Sequence, residues 1–324
     1  MALPSGSVNT YTGTGGMGTG MREDLKDFIA TVSPEETPFL SLIGTATADN
    51  TYFEWQTDAL DTATTSNAVL EGDDFAATSY TAPTRIANRC QISTKGIVVT
   101  GTTEAVRKAG RASELARLVI KRGKELRRDL ETICMSNQGS TTGATDVARK
   151  TGALCAWYAA TANASRGSGG SAGGFSNGNV AAATDSSTAN MRALTESILK
   201  TTLAGCWDTG ANIKVLMCSS TQKQNISTFT GGSTRTKDAE DRKIVAAIDV
   251  YESDFGTISV VPNRLQRARD VHLIDPELWK IAYLRPYQLL DIAKAGDSEK
   301  RTLLVEWGLM SMNEKGNGVI ADVS

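Results

Sequence analysis

At 324 residues the chain holds material for one large or two moderate domains, and a compact fold of this size buries about three quarters of its unfolded surface. Its 34 basic and 36 acidic side chains leave a formal charge of -2, which argues against a dedicated nucleic-acid binder with a concentrated basic face. Cys90, Cys134, Cys155, Cys206 and Cys218 are odd in number and lack any CxxC pair, so they read as small apolar residues of a reducing compartment and exclude a disulfide frame or a zinc site. No apolar run approaches the roughly 20 residues that span a bilayer, and the start lacks a basic segment followed by an apolar block, so a soluble, cytosolic product with no membrane partner is expected.

Residues 1–20 are Gly, Thr and Ser with little to bury, and the expected element is an arm that takes its order from what it lies against. Gly13, Gly15 and Gly18 fit GxGxxG, but the phosphate-binding form needs a strand before it and a helix after, and only about a dozen residues without a strand pattern precede it. Residues 22–32 place Leu25, Phe28 and Ile29 on one face of a short helix, which Ser33-Pro34 ends; PEETPFLSLIG then supplies an apolar anchor. TYFEWQT at 51–57 is a strand, and residues 84–100 are its return, with Ile86, Asn88, Cys90 and Ile92 on one face and Arg85, Ala87, Arg89 and Gln91 on the other. The polar stretch 58–83 is too long for an ordinary connection. A two-stranded ribbon cannot stand alone in water, so it packs on its own domain or, as expected here, on a second copy.

A short helix over 102–109 ends at Gly110, and a long one follows over 111–138, about 40 Å at 1.5 Å per residue. Ser113 caps it, Leu115, Val119, Leu126, Leu130 and Ile133 form its apolar seam, and Gly139 ends it. Its other faces are charged, with Lys121/Glu125 and Arg127/Glu131 one turn apart. Gly123 interrupts the seam and predicts a close backbone crossing, a tolerated helix glycine being the alternative.

Beyond it come a Gly/Thr loop (139–151), an apolar piece (152–160) and a low-complexity run (161–188) read as a surface loop or mobile insertion. Met191, Leu194, Ile198 and Leu203 restart a helix, 213–218 is a buried strand, and Ser219 or Ser220 caps a helix through Phe229, the alternation of a small α/β layer. Strands are predicted at 244–251, 257–261, 271–274, 278–284, 302–312 and 318–323.

Catalytic chemistry finds little support. The single histidine, His272, lies in the strand VHLID and no nucleophile motif accompanies it. Glu71, Asp73 and Asp74 crowd a loop without EF-hand spacing and read as a solvated acidic tip. Arg122, Lys124, Arg127 and Arg128 are interleaved with Glu125, Asp129 and Glu131, which favours salt bridges over nucleic-acid contact. No enzyme activity, cofactor or metal site is therefore expected.

The order of arm, ribbon, long helix, α/β layer and returning strands resembles the major capsid protein of tailed bacteriophages, with the Hong Kong ninety-seven-type fold of class α+β. Carrying the likeness are REDL (22–25), SPEETPFLSLIG (33–44), YFEWQTDAL (52–60), VVTGTTEAV (98–106), GKELRRDLE (123–131) and LLVEWGLMSMNEKGNGVIADV (303–323). The resemblance implies an N-terminal arm (1–50), an extended loop (51–95), a peripheral domain (96–189 and 283–313) with spine helix 111–138, and an axial domain (190–282 and 314–324). It further implies a strand at 300–312 lying along the spine. Phe53, Trp55, Arg85, Arg89, Arg127 and Arg128 are the expected intersubunit contacts.

The implied function is a shell subunit that forms pentamers and hexamers around double-stranded DNA in the virion, assembled in the host cytoplasm. Implied partners are further copies, a portal protein, a separate scaffolding protein, a possible decoration protein, and DNA held by non-specific inner-surface contacts. A tail-tube subunit and a nucleotide-dependent enzyme are the alternatives; a long charged helix beside a ribbon favours the shell, since tube proteins are mostly β. The extended loop has no lysine between Lys26 and Lys95, so it lacks the amine for an amide link to a neighbour, which speaks against such crosslinks. Shells boiled in denaturant should release one band at 34.4 kDa; a ladder of covalent multimers would contradict this.

Overall fold

The computed structural model describes residues 32–74, 80–108, 110–159, 163–229 and 249–324. The arm at 1–20, its GxGxxG glycines, the helix expected at 22–32 except Val32, and most of the strand expected at 244–251 lie outside them.

In chain order, α1 (Pro38–Leu42) and β1 (Gly44–Thr47) lead to the ribbon strands β2 (Tyr52–Thr57) and β3 (Thr84–Arg89). Then come β4 (Gln91–Thr100), α2 (Gly101–Ala105), α3 (Glu114–Cys134) and the one-turn α4 (Leu154–Trp157). Short strands β5 (Ala164–Ser165), β6 (Gly174–Ser176) and β7 (Asn179–Ala181) precede α5 (Glu196–Asp208), β8 (Val215–Cys218) and α6 (Ser220–Ser227). The chain closes with β9 (Val250–Ser253), β10 (Gly256–Pro262), β11 (Val271–Ile274), β12 (Trp279–Ile292), β13 (Ser298–Ser311) and β14 (Gly318–Ile320).

Two larger sheets organise these elements. One has the order β1-β12-β13-β4, with α3 lying across β4 and β13; the other has the order β5-β14-β11-β8-β10-β9, with α5 over β14 and α6 over β10. Leu126, Leu130 and Cys134 of α3 share a buried cluster with Trp279, Val305, Trp307 and Leu309 of the first sheet and with Met217, Ile274 and Val319 of the second. One continuous core therefore joins both sheets. Nearer its start, α3 packs Leu115, Leu118 and Val119 on Ile97 and Val99, and Lys95 meets Asp129 at 2.6 Å.

The long helix has 21 residues, about 31 Å, and is shorter than expected at both ends. Ser113 does cap it, accepting from the Ala116 N–H, but residues 136–138 turn away. Gln138 Nε2 instead donates to Gln91 Oε1 and the Thr151 carbonyl, both at 2.9 Å. The expected one-turn ion pairs are also replaced. Arg122 takes Glu125 at 2.6 Å, and Glu131 is buried, with no exposed surface.

Residues 84–100 are two strands, not one. At Cys90 the chain steps from the ribbon, where β3 pairs with β2, to the body sheet, where β4 pairs with β13. The step breaks the expected alternation, so Cys90 is buried while Ile92 is exposed. The strand expected to stop at Leu284 runs to Ile292 because β13 pairs with it as far as Lys300, although β1 ends opposite Tyr283. Beyond that point β12 has one hydrogen-bonded neighbour, and a register shift absorbs Pro286, which has no N–H to give.

The low-complexity run is structural. The β6–β7 hairpin seats Val180 in the core, and a side-chain carbon at Gly152 would stand 2.7 Å from Val180 Cβ. One at Gly139 would stand 2.8 Å from the Ala182 nitrogen. These glycines permit close backbone contact where a loop was expected.

Gly123 marks no crossing: nothing described lies within 4 Å of where its Cβ would sit. The close crossing is at Gly308 on β13, where an added Cβ would stand 2.5 Å from the Phe53 ring and 3.0 Å from the Arg89 carbonyl oxygen. Gly123→Ala should raise unfolding stability by about 1 kcal/mol, since glycine is the poorer helix former. Gly308→Ala should lower it by about 1–3 kcal/mol through overpacking, and Leu126→Ala should lower it by about 2–5 kcal/mol. Denaturant melts of the three variants check this, and a gain at Gly308 or a loss at Gly123 would reverse the assignment.

Candidate assembly surface

The ribbon has a built base and an unsupported far end. In β2, Tyr52 Oη donates to the Gly178 carbonyl at 3.2 Å and Trp55 Nε1 to the Ser311 carbonyl at 2.8 Å. Phe53 stacks on Trp55, and Trp55 stands against Trp157 of α4, each pair with ring centroids 5.6 Å apart. In β3, the buried Asn88 donates to the Leu309 carbonyl at 2.6 Å and accepts from the Gly152 N–H at 2.8 Å. Arg89 Nε reaches Asn179 Oδ1 at 3.2 Å, and its guanidinium lies 4.7 Å from the Tyr52 ring centre. The ribbon base is thus held by its own chain, which corrects the expectation that a second copy must hold it up.

Past Thr57 and before Thr84 the support ends. Every described residue of 58–83 is exposed, among them Leu60 at 99%, Val69, Leu70 at 81% and Tyr80 at 78%. Four large apolar side chains held in water cost free energy that only another surface can recover. A second uncovered surface lies on the sheet face opposite α3. Ile97 and Val99 face the helix, so Val98 faces away; through Lys300 it aligns with Ile292, and Gly96 aligns through Thr302 with Leu290. Ile92, Val98, Leu290 and Ile292 are all exposed.

The structure groups the six expected contact residues in three places. Phe53, Trp55 and Arg89 sit together at the ribbon base; Arg85 is exposed on the ribbon, 3.8 Å from Glu54. Arg127 and Arg128 are on α3, where Arg127 Nη2 donates to Ser41 Oγ at 3.0 Å and Arg128 lines a groove. Sequence reasoning missed Leu60, Val69, Leu70 and Tyr80, because a stretch rich in Thr, Ala and Asp masks isolated large residues. It also missed Asn88, which alternation placed on a face without showing that the face was buried.

The segment leading to the ribbon is tied to α3 through Glu131. Its carboxylate accepts from the Phe39 and Leu40 N–H groups, both at 2.9 Å, and from Asn263 Nδ2 at 2.6 Å. Burial pushes this carboxyl above the ordinary range, against the opposite pull of those donors. Lys124 adds a contact to Glu35 at 2.6 Å.

The histidine and the cysteines lie inside the protein. His272 is buried and stacked on Tyr158 with centroids 5.8 Å apart, and burial pushes its pKa down to about 3. All five cysteines are buried and free; the Cys90 thiol is pushed up to about 11 and those of Cys155, Cys206 and Cys218 to about 12. Among the described residues no three His, Cys, Asp or Glu side chains are grouped to hold a metal ion, and Glu71, Asp73 and Asp74 are exposed.

Comparison with known proteins places this architecture. A family model described as SU10 major capsid protein matches residues 6–324. The major capsid protein of Escherichia phage Phieco32 is 28% identical over 343 aligned positions, covering 93% of this chain and 94% of that protein. Among solved structures, the cyanophage A-1(L) capsid asymmetric unit superposes with a TM-score of 0.66 at 15% identity, covering 94% of this chain and 97% of that one. The capsid of the native GTA particle gives 0.63 at 14% identity, covering 98% and 100%.

Glu131→Ala leaves three donors, two of them buried, without an acceptor and should cost about 2–4 kcal/mol. Glu131→Gln removes the charge and keeps one carbonyl oxygen. The folded-state pKa of Glu131 is raised, so its contribution is full below the unfolded value and falls as pH rises through the folded one. The stability of the natural protein relative to Glu131→Gln should therefore decline from acid toward neutral pH. Denaturation at several pH values measures this, and a difference that grows with pH would refute it.

Proposed function

The chain belongs to the SU10 major capsid protein family, and on that footing we propose that copies of this structural protein assemble into pentamers and hexamers closing a shell around phage double-stranded DNA. The extended loop carries the reading: it leaves a firmly anchored base and holds Leu60, Val69, Leu70 and Tyr80 in water, where a neighbouring copy supplies the missing cover. Arg85 and Glu54 on the ribbon, and Arg127 on α3, are exposed charges that set register between copies. Phe53, Trp55 and Arg89 act mainly by fixing the direction in which the loop leaves the body.

In this reading the β1-β12-β13-β4 sheet with α3 is the peripheral domain and the six-stranded sheet is the axial one. Residues 164–165 pair with β14, which supports grouping them with the axial side in this reading. The wider role implies a portal, a separate scaffolding protein, DNA against the inner surface and, on the outside, a possible decoration protein. Among the described residues no helix is long and apolar enough to cross a membrane.

Sedimentation and negative-stain microscopy of the purified protein should show pentamers, hexamers or closed shells. A concentration-independent monomer under conditions that support head assembly would overturn the proposal. Deleting residues 62–81 should leave a folded protein that fails to assemble, and normal shells from that deletion would refute the role of the loop.

A further inference from the structure

One face of α3 carries an open groove of about 620 Å³, lined by Arg111, Arg117, Ile120, Lys121, Lys124, Arg128 and Glu125, the last paired with Arg122, with Ser33 and Glu35 on its rim. Positions 117, 120, 121, 124 and 128 share a helical face. Ile120 is 65% exposed there. Arg128 has its Nε shielded from water with no acceptor among the described residues, and Lys121 has no carboxylate within 4 Å among them.

The neighbouring backbone shows which way the chain is heading. Phe39 and Leu40 bond Glu131, whereas Glu35, four residues earlier, meets Lys124, almost two turns nearer the start of α3. Followed toward the N-terminus, the chain climbs the helix. Ten residues of α3 remain between Lys124 and Glu114, about 15 Å, and residues 22–31 wound as a helix would span about the same length. That segment, Arg22-Glu-Asp-Leu-Lys-Asp-Phe-Ile-Ala-Thr, sets Leu25, Phe28 and Ile29 in one stripe with Asp24 flanking it and Glu23 and Asp27 on the far side.

We propose that residues 22–31 dock in this groove of their own chain, with the apolar stripe on Ile120 and the Asp24 carboxylate toward Lys121 and Arg128. The tether selects the occupant. Only Val32 separates the segment from Ser33 on the rim, so its effective concentration at the groove is on the order of millimolar or higher, above that of a segment from an untethered second copy. Docking covers Ile120 and supplies an acceptor for Arg128.

The test uses the full-length chain with Phe28→Cys and Ile120→Cys. The native thiols are buried, so the two introduced ones report alone. Oxidation should give an intrachain disulfide, seen as a faster monomer band on a non-reducing denaturing gel and as a linked 28–120 peptide by mass spectrometry. Covalent dimers would assign the groove to a neighbouring copy, and two free thiols would show it empty; either result overturns the proposal. Ile120→Asp, at an exposed position that leaves the fold intact, gives an independent arm. It should speed tryptic cleavage after Lys26 about tenfold by releasing the segment, and a rate equal to that of the natural chain would overturn docking. Sedimentation of the same samples reports assembly separately, so failure here is distinct from failure of the shell reading.

Discussion

Three parts of the molecule meet at the carboxylate of Glu131. The segment entering the ribbon offers two backbone N–H groups, the six-stranded sheet offers Asn263 from the end of β10, and α3 carries the acceptor. Removing a carboxylate from water costs several kcal/mol, and hydrogen bonds from fixed donors offset that cost only when all are in place. The arrangement is therefore conditional on correct assembly of all three. It also satisfies two N–H groups in the first turn of α1, a helix too short to be stable alone.

From this junction outward, rigidity falls by design of the packing. The ribbon base is held by a run of aromatic contacts from Phe53 through Trp55 and Trp157 to Phe175, and by Asn88 exchanging hydrogen bonds with the loop before α4. Nothing comparable reaches residues 58–74 or 80–83. A supported base and an exposed far end suit a contact that leaves the body in one direction and is completed by another surface.

Close backbone approach is the second device. Gly308 lets the ribbon cross β13, and Gly139 and Gly152 let the β6–β7 hairpin press against the body. Such contacts bury little side-chain area but fix distances between elements, because a Cβ at any of them would force main chain or core side chains to move. Gly123, the glycine in the most prominent helix, serves no such purpose among the described residues.

Local sequence determined what local physics controls. The Ser113 cap, the buried Leu126 and Leu130 on α3, the strand at 271–274, the Ser219 cap of α6 and the apolar character of the cysteines could all be read from spacing and side-chain chemistry. Family motifs carried the order of elements and the fold. Tertiary structure alone decided where pieces cross. An acidic residue on a charged helix looks solvated until donors from residues 39, 40 and 263 converge on it, and a glycine-rich run looks mobile until a core surface lies within van der Waals reach. Periodicity reports which face of an element is apolar and not which element will cover it, so the breaks at Cys90 and Pro286, the crossing at Gly308 and the burial of Glu131 depend on partners distant in the chain.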